Sequence, residues 1–140
     1  MSNSAGNEAT AEPTRAEFVS RMDAICKDFG ESEEVQKAMD LAMQSENSAE
    51  AAGHFDRLVR ASEETMDEVS ALEVPTALRD DFDDYLDSEA EVGDLLGEMA
   101  DAVREGNIED FFKFAEETKA PSDRSARIAG RLGLKVCATD

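Results

Sequence analysis

The series Phe55, Leu58, Ser62, Thr65, Val69, Leu72, spaced three, four, three, four, three, constrains this chain more than any other feature. A strand repeats every second residue, whereas this spacing returns to one face of a helix at every turn. A helix with one such stripe is stable only when the stripe is covered, so partner helices are required. The flanking sequence supplies them.

Thr14 to Glu17 has the Thr-x-x-Glu form of a capping box, and Phe18, Met22, Ile25 and Phe29 follow at helical spacing. That stripe slips phase at Val35, Met39 and Ala42, with Gly30 and Ser32 offering a break and a new cap, so a bend is expected there. Pro75 stops the second segment and Thr76 is expected to cap a third, whose stripe is Leu78, Phe82, Tyr85, Glu89, Val92, Leu96, Met99 and Val103. Gly106 should end it and Asn107 cap the next. The fourth stripe runs Ile108, Phe111, Ala115, Thr118, Ser122, Ser125, Ala129, Leu132, with Gly133 closing it and Pro121 expected to kink or restart it. Four segments of roughly equal length with short connections predict an all-α fold, an up-down-up-down four-helix bundle. Its first helix is bent and its fourth carries a proline kink.

The 140 residues suffice for one core, so residues 15–140 are expected to form a single bundle domain and the polar residues 1–14 a disordered leader or tether. A formal charge of −20 disfavours nucleic acid and anionic membrane as partners and leaves basic proteins or cations. No apolar run is long enough for direct membrane insertion.

Cys26 and Cys137 are the two cysteines. Folding each hairpin about its turn brings Leu132 level with Asp23, and the segment Gly133 to Cys137 then needs only to cross the bundle to reach Cys26. One disulfide stapling the fold is therefore expected; two reduced, buried thiols are the alternative. A metal-binding pair lacks companion ligands.

The strings Phe18-Val19-Ser20-Arg21-Met22-Asp23-Ala24-Ile25-Cys26 and Leu132-Gly133-Leu134-Lys135-Val136-Cys137 resemble those of small secreted or lipid-anchored actinobacterial helical proteins of unassigned function. The resemblance implies an extracytoplasmic location and a disulfide, and carries over no catalytic residue. A cytoplasmic location is the alternative.

Candidate sites are few. Di-iron chemistry needs two Glu-x-x-His motifs, and the lone His54, expected at the surface, lacks that spacing. The methionines read as core filler. Asp80, Asp84, Asp87, Glu91, Asp94 and Glu98 form one outer stripe, expected as a solvated face, with docking of a basic partner as the alternative. Arg124, Arg127 and Arg131 suit a helix C-terminus and pairing with acids. Gly93 and Gly97 suggest close approach of another helix. At mid-height each stripe turns small or polar, and Glu89, Ser62, Ser122, Ser125 and Thr118 are candidates for lining a polar cavity for a cation or small polar ligand; a packed polar layer that fixes helix register, with Glu89 turned outward, is the alternative. No metal centre, cofactor or catalytic constellation is expected, which favours a non-enzymatic binding or scaffold module.

Overall fold

A computed structural model describes residues 11–138, and the part of the leader expected at residues 1–10 lies outside them. Among the described residues the chain is all helical: α1 (Arg15–Glu31), α2 (Glu33–Gln44), α3 (Ser48–Ser70), a 3-10 turn (Thr76–Leu78), α4 (Arg79–Arg104), α5 (Ile108–Glu117) and α6 (Lys119–Leu132).

Local chemistry sets each boundary. Both halves of the Thr14 capping box are formed, with Glu17 N donating to Thr14 Oγ1 at 3.1 Å and Thr14 N donating to Glu17 Oε1 at 2.8 Å. Those bonds hold the Glu17 carboxyl below the usual carboxylate range. The expected break in the first segment falls at Ser32, whose extended backbone ends α1 and whose Oγ accepts from Val35 N to start α2. Asn47 caps α3 in the same way through Glu50 N.

Thr76 does not cap α4. That helix begins beyond the 3-10 turn without a side-chain cap, while Thr76 donates its hydroxyl and its backbone N–H to the Glu12 carboxylate. The hydroxyl bond is the main cause of a lowered Glu12 pKa. Residues 11–14 are thus extended and held at Glu12, on the turn between α3 and α4.

Gly106 terminates α4 at φ +71, a conformation that a Cβ disfavours, and Asn107 caps α5 by accepting from Asp110 N at 3.0 Å. The fourth expected segment is two helices, parted at Thr118. Pro121 lies in the first turn of α6, where its missing N–H costs nothing; continuing α5 through it would drive the ring into the Glu117 carbonyl. Gly133 ends α6 at φ +88, and a Cβ there would meet the Arg15 guanidinium at 3.2 Å.

α3 packs extensively on α2 and α4, and α4 on α5 and α6. Among the described residues the buried apolar side chains form two clusters, where the chain length led to the expectation of one core. One joins Phe18 and Met22 of α1 to Val69, Phe82, Tyr85, Ile128 and Leu132, with Phe18 edge-on to Phe82 at 5.6 Å between centroids. Each fully buried side chain of this size stabilises by about 1.5–3 kcal/mol. The other core is smaller, made of Ala42, Phe55, Met99 and Ala100, with Phe111 edge-on to Phe55 at 5.5 Å. Ser62 and Glu89 belong to neither core.

The close helix approach expected at Gly93 and Gly97 is not found, since a Cβ at either would meet nothing within 4 Å. Among the described residues no helix is long and apolar enough to cross a membrane.

Candidate functional site

Cys26 and Cys137 form a disulfide, their Cα atoms 5.4 Å apart. The bond places part of α1 and the segment after α6 side by side, and Asp23 completes the closure. Its carboxylate accepts the backbone N–H groups of Lys135, Val136 and Cys137 at 3.0 to 3.3 Å, satisfying donors that no helix serves. Arg15 Nη2 donates to the Arg131 carbonyl at 3.0 Å beside them. Thiols joined in this way suit an oxidising environment.

The polar residues expected at mid-height are only partly gathered. Ser62 and Glu89 line one groove of about 190 Å³ between α3 and α4, together with Glu63, Met66 and Asp94. Glu89 and Ser62 are half-buried, whereas Glu63, Ala90 and Asp94 are exposed, so the space is a groove open to solvent. Thr118, Ser122 and Ser125 are not among its lining residues. Thr118 is a C-terminal residue of α5 and donates its hydroxyl to Ala115 O at 2.7 Å. Ser122 is half-buried on α6. Ser125 is 6% exposed, and its Oγ has no hydrogen-bond partner among the described residues.

Ser88 is a residue that reading the stripes missed. It is 1% exposed, one position before Glu89, and Arg124 Nη1 approaches its hydroxyl at 3.4 Å while also meeting Glu91 at 3.2 Å. Its spacing of three from Tyr85 and four from Val92 was the available signal.

Asp80, Asp84, Asp87, Glu91, Asp94 and Glu98 are all exposed along α4. Glu91 is bridged by Arg124, and Arg131 reaches Asp81 at 3.4 Å just beside the stripe. Arg127 is exposed.

His54 is not at the surface. It is 7% exposed on α3, and Arg57 Nη2 lies 2.6 Å from its Nδ1. A guanidinium can only donate, so Nδ1 is the acceptor in this contact. Ala51, Ala52 and Ala102 are buried as well. Met22 and Met99 fill cores as expected; Met39 and Met43 are exposed instead.

Among the described residues no group of three or more His, Cys, Asp or Glu side chains is arranged to hold a metal ion. The described residues are therefore all helical and closed by a disulfide, with exposed carboxylates along α4 and a solvent-open groove between α3 and α4. No family model matches the chain, and neither a curated protein nor a solved structure matches it.

Proposed function

We propose that this protein is a non-enzymatic, extracytoplasmic binding or scaffold module of the secreted or lipid-anchored kind. Its helices are read as an up-down-up-down four-helix bundle, with α1 and α2 forming the bent first helix and α5 and α6 the fourth, kinked before Pro121. The observation that carries the reading is the acidic face of α4, where six carboxylates from Asp80 to Glu98 are exposed along one helix of a chain with charge −20. Such a face attracts and orients a basic protein partner and repels nucleic acid. Lysine substitutions at Asp84, Asp87 and Asp94 should abolish capture of basic proteins from an envelope extract. Equal capture by the reversed variant overturns the assignment of the docking face.

A second reading, a small polar ligand or cation held at mid-height, is favoured by the groove that brings Ser62 and Glu89 together with Asp94. A ligand specific to the folded state raises the denaturation midpoint. Calcium, magnesium or zinc should raise it in the native protein and not in Glu89→Gln. Equal midpoints with and without each ion exclude the cation form of this reading.

A further inference from the structure

One seam of the bundle is left unclosed. Among the described residues α2 packs extensively on α3, but it makes no extensive contact with α5 or α6. Both α2 and α5 nevertheless border the small core, through Ala42 on one side and Phe111, Phe114 and Ala115 on the other.

The side chains flanking this seam are asymmetric in a consistent way. On α5, Phe111 points inward onto Phe55. At about 100° per residue, Phe114 then lies about 60° to one side, with Ile108 and Phe112 about 60° and 100° to the other. Phe114 is half-buried, whereas Ile108 and Phe112 are 64% and 63% exposed. The covered flank is the one that meets α4, so the bare flank turns to the seam. α2 repeats the pattern: Ala38 and Ala42 are buried, Leu41 on one flank is half-buried, and Met39 and Met43 on the other are 46% and 74% exposed.

Beyond these apolar edges come carboxylates. Gln36, Asp40 and Glu33 follow Met43 around α2, Glu33 on the side away from the core, and Glu116 and Glu109 follow Phe112 around α5; all four carboxylates are exposed, and Glu116 is bridged by Lys119 at 3.2 Å. The lysine nearest Phe114, Lys113, leans over that ring, away from the seam, at 5.7 Å.

We propose that the α2–α5 seam is a docking groove for a cationic amphipathic helix of a partner protein. Its apolar face covers Met39, Met43, Ile108 and Phe112, and its lysines or arginines meet the carboxylates on both rims. An apolar strip with two methionines adapts its shape to such a helix, and the acidic rims select for positive charge. A second copy of the chain is disfavoured as occupant, because it would bring another charge of −20 against the same rims. This inference rests on the reading of the protein as a binding module and adds an apolar contact at the seam to the acidic face of α4.

The test uses the full chain and a synthetic helical peptide with one leucine face and one lysine face. The peptide should shift the methyl resonances of Met39 and Met43, and the double variant Met43→Gln/Phe112→Ser should bind it about tenfold or more weakly. Both positions are exposed, so unchanged thermal melting certifies the fold. Shifts confined to the acidic face of α4, or equal affinity in the double variant, overturn the seam while leaving the binding-module reading intact. Absence of any binding overturns the seam as well. If sedimentation shows a dimer that Phe112→Ser dissociates, the occupant is a second copy and the proposal is wrong.

Discussion

The Asp23 carboxylate accepts the backbone N–H of Cys137 at 3.3 Å, three residues before its own chain reaches Cys26, the cysteine to which Cys137 is bonded. A covalent and a polar tie thus converge on one turn of α1. Both hold the segment that follows Gly133.

Asp23→Ala should loosen that segment first. Three backbone donors lose a charged acceptor, although part of their exposure to water softens the loss, and about 1–3 kcal/mol of stability should go. Urea denaturation reads the sum, and amide exchange at Val136 and Cys137 should accelerate before exchange in α4. Unchanged exchange at both would show that the disulfide alone positions the segment.

Reduction tests the other tie. The bond joins positions separated by 111 residues, and the chain-entropy model assigns a loop of that size about 4 to 5 kcal/mol. The denaturation midpoint should drop sharply in reductant, and intact mass should rise by two hydrogen atoms. Two free thiols in fully oxidised protein would contradict the bond.

Phe18→Ala should be among the most damaging single changes. The ring is 0% exposed and stacked edge-on against Phe82, so its loss leaves a cavity and is expected to cost about 3–5 kcal/mol in urea denaturation. A cost under about 1 kcal/mol would mean that the core collapses to fill the space.

Ser125→Ala is expected to act in the opposite direction. A buried hydroxyl without a hydrogen-bond partner is a desolvation cost, and its removal should raise stability by about 1 kcal/mol. A clear loss of stability in the variant would reveal a bond formed by that hydroxyl in solution.

Acid should release the segment before α1. Glu12 and Glu17 both have folded-state pKa values lowered by their hydrogen bonds, to Thr76 and Thr14 respectively. A lowered carboxyl pKa contributes stability that is present above the unfolded value and is lost as pH falls through the folded one. The amide of Thr76 should therefore shift in NMR below the usual carboxylate range, and Glu12→Gln should weaken that transition.

Helix chemistry that acts over a few residues was legible in the sequence. The Thr14 box, the Ser32 break, the Gly106 stop, the Asn107 cap and the Gly133 terminus depend only on neighbours along the chain. The level of Asp23 with the end of α6 followed from helix lengths, and it located the disulfide. What failed depended on contacts across the bundle. Thr76 has the form of a cap, but it opens a 3-10 turn ahead of α4 and donates to Glu12 from 64 residues away. Gly93 and Gly97 have the spacing of a close crossing, yet nothing stands within 4 Å of either position. Ser62 and Glu89 did meet, while Thr118 turned to its own helix because α5 ends there. His54 is buried one position before Phe55, where the stripe used to read α3 begins.

The placement of the disulfide also settles how the molecule bears load. Tension between the ends of the chain enters along α1, crosses from Cys26 to Cys137 and leaves by the last residues. The helices from α2 to α6 lie inside the covalent ring and outside that path. Pulling on the termini of the oxidised protein can extend only the segment before Cys26 and the residues after Cys137. The acidic face, the groove and the seam therefore remain on a part of the chain that cannot be drawn out until the bond is reduced.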